Sequence, residues 1–507
     1  MMGKTSDKST KNKKKKQKAL WRKVGLGLNF IQILTALAFM GMLFNLNVIP
    51  MKYMLIGAAI IALITAYNVV SQFTSSHVIG KILSVLLSAL FVMGCLYVGK
   101  TNDMLNSIAG VKTESQELSV VVQKDDPATS LSDAKSYQFG YVEGIDNTNM
   151  TTAISKINEK LGSSIAVTPY DDWQQLNDAL NNQKIQAIIL NEAYRPNMEE
   201  VDADFSNNTK IIDSFTLQTT VKLSSSDKRV NEEPFTVYVA GNDQEGAIAS
   251  SGRNDVNIIA TVNPKTRQIL LLSTPRDYYI MLDNLQGTTG MDKLTHAGNF
   301  GIDGSITALS KLYGITVDYY VKVNFTGTIN IVDALGGITI NSDVAFTTTK
   351  DTSPIPYTYV VGENDVNGEQ TLAFCRERHG FADGDFQRGR NEMLALEGLF
   401  NKVTSPAIIT NYAKVMDSIS DFFVTNMPSS TITALVKGIL SDSTPWNIQT
   451  YSVSGTPTTK YSTWGKANLS VVVPDDNTVS IAKDLMTKIS NGEVFDVQEY
   501  VDSLGQQ

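Results

Sequence analysis

Apolar residues are distributed very unevenly along this 507-residue chain. Three apolar stretches, at roughly 24–46, 53–73 and 79–99, fill the first hundred residues. At about 1.5 Å rise per residue, each is long enough to cross a bilayer core as a helix. The breaks are short, at Asn45–Lys52 with Pro50 inside it and at Ser71–Lys81. Residues 100–134 are polar, carry Lys124, Asp125, Asp126 and Pro127, and read as a linker. Tyr137–Val142 then has the pattern of a strand, and Thr148–Leu161 that of a helix, with Ile154, Ile157 and Leu161 at helical spacing. Ser164–Thr168 predicts a strand, Asp171–Asn181 a helix opened by an Asp cap, and Ile185–Leu190 a buried strand. The pattern is a small β-α-β-α-β domain over 135–233. It holds no catalytic constellation and reads as an accessory or spacer domain.

A larger α/β domain begins near Pro234 and runs to 507. Phe235–Ala240, Val256–Val262 and Gln268–Ser273 are almost continuously apolar, as in a sheet covered on both faces. The spacing predicts helices over 291–300, 303–313, 325–335, 367–375 and 388–403, strands over 318–324 and 337–340, and further helices with one or two strands after 409. The expected fold class is therefore α/β: three transmembrane helices over 24–99, a small α/β accessory domain, and a larger α/β domain whose mixed central sheet is covered by helices.

Charge adds a topology. Residues 1–100 carry thirteen Lys+Arg and one acid, Asp7, whereas the rest carries thirty bases against fifty acids. A basic tail over 1–23, densest at Lys11–Lys18, should stay cytoplasmic by the positive-inside rule. Three crossings then put residues from about 100 to 507 outside a cell membrane. Two further spans follow the first, and no small-residue cleavage site does, so a cleavable signal peptide is not expected. The acidic outer part argues against a nucleic-acid partner. The two cysteines, Cys95 in the third span and Cys375, are not expected to pair.

The candidate chemistry lies in the larger domain. Asp243 closes one strand and Asp255 opens the next. Two carboxylates at adjacent strand ends suit a hard cation such as Mg²⁺, with ordinary turn chemistry as the alternative. Arg253 precedes Asp255. Arg276 ends another apolar strand and projects to the same edge unless Asp277 pairs with it. Lys293 and His296 are three apart and share a helical face, His296 reading as a packing residue rather than a base. Only ten arginines occur in the chain, and Arg376, Arg378, Arg388 and Arg390 are four of them. Arginine offers a planar fork that grips phosphate in bidentate fashion. Arg376 and Arg378 alternate as on a strand, which would aim both the same way. Arg388 and Arg390 open a helix whose N-terminus favours bound phosphate oxygens. A salt-bridged loop using Asp383, Asp385 and Glu392 is the alternative.

Taken in order, these segments resemble the LytR-CpsA-Psr family of Gram-positive envelopes. The resemblance runs from Phe235 to the C-terminal region through the strand ending at Asp243, Arg-Asn-Asp255, Ser-Thr-Pro-Arg276-Asp, Asp-Lys293-Leu-Thr-His-Ala, Val-Asp-Ala-Leu-Gly-Gly337 and Arg376-x-Arg378…Gly-Asp385-x-x-Arg388-Gly-Arg390-Asn391. The spans and the small domain ahead of it are most similar to the capsule-locus branch. The resemblance implies a phosphotransferase that moves a glycan, here a capsular polysaccharide, from an undecaprenyl-pyrophosphate carrier to peptidoglycan with Mg²⁺ or Mn²⁺. It implies Asp243 and Asp255 on the metal. Arg253, Arg276, Lys293, Arg376, Arg378, Arg388, Arg390 and Asn391 would lie on the pyrophosphate or headgroup, with the lipid tail in an apolar tunnel. Asp255 or Asp385 would activate the sugar hydroxyl, so the catalytic set is Asp255, Arg276, Arg376, Arg378, Asp385 and Arg388. Membrane lipid and other capsule-assembly proteins are the further partners. Glu392 stands where relatives often carry Gln. Two other readings remain open: a non-enzymatic membrane regulator or scaffold of capsule synthesis, and a lipid pyrophosphatase without acceptor transfer.

Overall fold

The computed structural model describes residues 4–108, 111–222, 226–242, 252–285, 288–405, 423–442 and 444–505. They form two compact units, 1–107 with 429–444, and 108–428 with 445–507.

The first unit is built on three helices, Lys4–Leu46, Met51–Ser71 and His77–Ile108. Their segments Lys13–Leu46, Met51–Ser71 and His77–Ser107 are long and apolar enough to cross a membrane. Apolar side chains face outward along all three, while the interior carries polar groups. Asn68 donates to Gln32 Oε1 at 2.9 Å, Gln32 donates to Thr65 Oγ1 at 3.0 Å, and Ser84 donates to Asn29 Oδ1 at 2.8 Å. Buried amides holding apolar helices together are the usual glue where lipid gives no hydrophobic drive for association. A fourth helix, Ser429–Ser441, belongs to this unit.

The second unit holds two sheets. The smaller has five strands in the order Ala166–Tyr170, Gln138–Val142, Ala187–Asn191, Val111–Gln123 and Thr209–Lys222. The first three are mutually parallel and are joined by helices Asn147–Leu161 and Trp173–Asn181, as the pattern predicts. Asp172 caps the second helix by accepting from the Gln175 N–H at 2.7 Å. The last two strands in this order revise the expectation. The stretch 100–134 is not a linker, because helix His77–Ile108 extends into it and Val111–Gln123 is an inner strand. Its fully buried run is short, Leu118–Val122 with Ser119 inside it, and carries little periodic signal among polar neighbours.

The larger sheet has six strands in the order Phe423–Thr425, Tyr319–Asn324, Phe235–Asn242, Val256–Asn263, Gln268–Ser273 and Asn447–Ser452. It is mixed: Tyr319–Asn324 runs parallel to Phe235–Asn242, whose other neighbour is antiparallel. Alternation splits its side chains between two faces. Tyr238, Ala240, Ile259, Leu270 and Leu272 pack with helices Ile302–Tyr313 and Asp476–Asn491 around Leu309, Leu485 and Ile489. The opposite face, with Val239, Gly241 and Ile258, looks toward helices Phe325–Ala334, Gly368–Arg376 and Asp385–Val403 across a cavity. The predicted helix over 291–300 is replaced by strand Thr288–Lys293, paired with Tyr279–Leu285, followed by two short helical turns. Buried Asp292 explains the break: its carboxylate accepts from Ser462 Oγ and the Trp464 N–H, both at 2.7 Å, and pairs with His296 Nδ1 at 2.7 Å.

Candidate functional site

The cavity has a volume of about 250 Å³, and its lining changes character along its length. Helix Asp385–Val403 shows the change best. It presents Arg388, Glu392, Ala395, Leu396 and Leu399, spaced so that all share one face. The charged pair occupies the first two turns and the apolar trio the later ones. Arg388 and Leu399 are about 16 Å apart along the axis at 1.5 Å per residue. Val239, Ile258, Val323, Phe325, Val332 and Ile338 complete the apolar part, while Asp255, Arg276, Arg376 and Arg378 join Arg388 in the charged part. Gly389 allows the helix to start here: a Cβ on it would lie 2.6 Å from Ser273 Oγ, on the strand that leads to Arg276.

The charged part is a ladder of alternating signs. Asp255 is fixed by its N–H, which donates to the Gly241 carbonyl at 2.7 Å. Its carboxylate accepts from Arg276 Nη1 at 2.8 Å. Arg388 Nη2 donates to the Asp255 carbonyl at 2.9 Å, Nη1 lies 3.1 Å from Asp385, and Nε lies 3.2 Å from Glu392. Asp385 also stands 3.8 Å from Arg378 and 4.0 Å from Arg276. Burial opposes charge on Asp255, but the guanidinium groups of Arg276 and Arg388 outweigh it and hold the carboxyl below its usual range. Arg276 is likewise desolvated, yet Asp255, Asp277 and Asp385 keep it firmly protonated. Its Nε is buried with no hydrogen-bond acceptor, an unmet donor beside the cavity.

Glu392 responds in the opposite way. Burial, then the nearby Asp255 and Asp385 charges, push it up to about 8 even though Arg388 pulls it down. The shift favours the neutral acid, whose hydrogen-bonding is close to that of an amide.

Arg376 and Arg378 both line the cavity, but not from a strand. Arg376 is the last residue of helix Gly368–Arg376, where the helix dipole favours a cation, and it lies over the Phe325 ring at 4.5 Å. Arg378 follows in a loop shaped by Glu377, a residue the sequence does not single out. The fully buried Glu377 carboxylate accepts the N–H groups of Arg378 at 3.0 Å and Gly380 at 2.9 Å. Burial raises its pKa, but the backbone donors of Thr349 and Gly380 more than offset this and leave it below the usual value.

Four other candidates are turned elsewhere. Arg253 pairs at 3.0 Å with Glu200 of the smaller domain and also donates to Asn197 Oδ1 at 3.2 Å. Lys293, ending a strand rather than sitting on a helix, lies 3.5 Å from both Glu200 and Asp277. Burial works against the Glu200 charge, but Arg253 and Lys293 bring its pKa below the ordinary value. Arg390 pairs with Asp383 and with Gln387. Asn391 is fully buried, donating to the Phe374 carbonyl at 3.2 Å and accepting from Gln387 Nε2 at 3.0 Å. None of the four lines the cavity. Asp243 lies outside the described residues.

The donor set bears on a metal. Among the described residues no group of three His, Cys, Asp or Glu side chains gathers. Mg²⁺ needs no such cage, since one or two carboxylates with substrate phosphate and water commonly hold it. The half-buried Asp255 carboxylate at the cavity wall is a hard oxygen donor of that kind and suits such an ion.

Comparison with known proteins adds the following. The sequence profile of the LytR_cpsA_psr family matches residues 202–488. A DNA polymerase processivity factor profile matches 76–190, from the third apolar helix into the smaller sheet. The Enterococcus faecalis polyisoprenyl-teichoic acid–peptidoglycan teichoic acid transferase TagU is 32% identical over 200 residues, 39% of this chain and 63% of that protein. The Bacillus subtilis TagU is 33% identical over 210 residues, 41% of this chain and 65% of that protein. The chain thus spans a little under two thirds of these relatives' length. The crystal structure of B. subtilis TagV is 24% identical, covers 52% of this chain and 99% of its own, and superposes with a TM-score of 0.42.

Proposed function

This chain belongs to the LytR_cpsA_psr family, and on that premise we propose that it transfers a glycopolymer from a polyprenyl-pyrophosphate carrier to peptidoglycan. The observation that carries the reading is the cavity whose wall passes from guanidinium groups to aliphatic side chains along one helix. A pyrophosphate joined to a long hydrocarbon has the same division. The teichoic acid transferases similar to this chain are named for polyisoprenyl-linked substrates, which supports that class of carrier.

In this reading Arg276, Arg376, Arg378 and Arg388 hold the two phosphates. The unmet Arg276 Nε gains an oxygen acceptor, and Val332, Ile338, Leu396 and Leu399 take the first isoprene units. The acceptor sugar hydroxyl attacks the phosphorus that bears the glycan. A new oxygen–phosphorus bond forms, and the bond to the bridging oxygen breaks. Polyprenyl phosphate leaves with the electron pair, and the hydroxyl proton passes to Asp385. Phosphoryl transfer depends mostly on positioning and charge neutralisation, which the arginines supply without a covalent nucleophile. Asp255, with Asp243, would hold Mg²⁺ or Mn²⁺, and the ion would add charge neutralisation at the pyrophosphate. Arg253, Lys293, Arg390 and Asn391 act as supports for the site rather than as phosphate ligands.

We assign the polymer as a capsular polysaccharide. The support is the resemblance to the capsule-locus branch in residues 1–201, which lie ahead of the family match. We take the three apolar helices to cross the cell membrane, and the lysine-rich start of the chain supports a cytoplasmic N-terminus with the two sheets outside. The test uses the full chain in nanodiscs with a polyprenyl-pyrophosphate glycan, Mg²⁺ and labelled peptidoglycan. The expected product is a phosphodiester-linked conjugate, lost in Arg376→Ala and Asp255→Ala. Full transfer by both variants would overturn the site. Glycan phosphate released without peptidoglycan labelling would make the protein a lipid pyrophosphatase. Polymer attachment lost on deleting residues 4–18, with insertion intact, would favour the scaffold.

A further inference from the structure

Helix Ser429–Ser441 lies between two edge strands of the larger sheet in sequence, yet its contacts are with the membrane-length helices. Lys437 Nζ donates to Asn47 Oδ1 at 2.8 Å, and Lys52 Nζ donates to the Ser441 carbonyl at 2.9 Å. Asn47 and Lys52 bracket the turn between the first two apolar helices, whose spans end at Leu46 and restart at Met51. The turn between two bilayer-crossing helices lies at the depth of the lipid headgroups. A helix bonded to both sides of that turn is held at the same depth.

Its sequence suits that position. Ile432, Leu435, Val436, Ile439 and Leu440 recur at i, i+3, i+4, i+7 and i+8, a single apolar stripe. Ser429, Ser430, Thr431, Thr433, Lys437 and Ser441, with the small Ala434 and Gly438, fill the rest. Val436 and Leu440, one turn apart, are 38% and 40% exposed. An exposed aliphatic pair is unfavourable in water but is the usual feature of a helix lying in a membrane interface, with lysines reaching the headgroup phosphates.

We propose that Ser429–Ser441 is an interfacial helix whose Val436–Leu440 edge sits in the phospholipid leaflet on the outer side of the membrane. The leaflet is the occupant because the helix is continuous with the membrane helices at Asn47 and Lys52, and because both cations there meet anionic headgroups. The chain then returns to the membrane some 320 residues after the third apolar helix ends. This proposal stands independently of the transferase reading.

The test uses the full chain in vesicles of phosphatidylcholine and phosphatidylglycerol. In a Cys95→Ser, Cys375→Ser background, Val436→Cys and Leu440→Cys are each labelled with an environment-sensitive nitrobenzoxadiazole dye, and Thr459→Cys, on an exposed strand, serves as reference. Doxyl groups at carbon 5 of the lipid should quench positions 436 and 440 about twofold or more, beyond quenching at carbon 12 and with little at 459. Floating the vesicles on a density gradient verifies insertion, and two labelled positions guard against one that disturbs the helix. Quenching at 436 and 440 no greater than at 459 overturns the proposal. So does protection that disappears on diluting the protein among vesicles, which would mean a second copy covers the stripe.

Discussion

Arg276 and Arg253 lie 23 residues apart, on segments that the sequence marks out equally, but their surroundings differ sharply. Both keep a buried Nε–H without a hydrogen-bond acceptor, but Arg276 faces a cavity and shares its carboxylates with Arg378 and Arg388. Arg253 is matched to a carboxylate, Glu200, and to Asn197 from another sheet's domain. The first arrangement leaves capacity for an incoming anion. The second uses a protein anion instead. A local excess of arginine therefore marks a region, and the balance of partners decides which cations serve a ligand.

This contrast can be tested, beginning with the largest expected effect. Arg388→Ala should reduce transfer by about 10²–10³-fold, the scale seen when a transition-state donor is removed. Steady-state kinetics on the full chain would check it, with unchanged circular dichroism as the folding control. Arg253→Ala should cost less than tenfold, and a loss equal to that of Arg388→Ala would erase the distinction. Next, Ala395→Trp, which fills the aliphatic end, should raise KM for a long-chain polyprenyl substrate by roughly tenfold while sparing a short-chain analogue. Equal effects on both chain lengths would place the tail elsewhere.

Glu200→Ala should act mainly on stability. It leaves partly buried Arg253 without its carboxylate and Lys293 with Asp277 alone, and about 1–2 kcal/mol of destabilisation is expected after allowing for partial solvent screening. Thermal unfolding measures it. The smallest effect concerns Glu392, whose folded pKa is raised. The proton it holds stabilises the fold fully below the ordinary carboxylate range, and that contribution is lost as pH climbs to about 8. Glu392→Gln should remove this slope, so its melting temperature gains on the native chain as pH rises from 5 to about 8. Parallel pH profiles would show that Glu392 is not held neutral.

Much of the architecture is legible in the sequence because single elements carry it. The strands at Phe235, Val256 and Gln268, the helices at Asn147, Ile302 and Phe325, and the Asp cap near 172 all follow from periodicity and local chemistry. The inner strand at Val111 does not, since its partners, Ala187–Asn191 and Thr209–Lys222, are some 70 to 110 residues away. The site divides in the same way. Residue type and order draw attention to Asp255, Arg276, Arg376, Arg378 and Arg388, which meet at one cavity. The pairing of Arg253 and Lys293 with Glu200, and the anchoring of the arginine loop by Glu377, depend on long-range proximity that no local pattern encodes. The alternation read at Arg376 and Arg378 has another cause, a helix end followed by an extended residue.

Cys375 lines the same cavity, and burial, then the Glu392 charge, push its thiol pKa up despite Arg388. A thiol kept protonated reacts slowly with polar alkylating agents and oxidants. With Cys95 in the third apolar helix, Cys375 is the only sulfhydryl in the two-sheet unit. An apolar maleimide that partitions into the cavity would find it where a water-soluble one would not. The ratio of the two labelling rates becomes a built-in gauge of occupancy, and it lets lipid loading be timed without isolating the product.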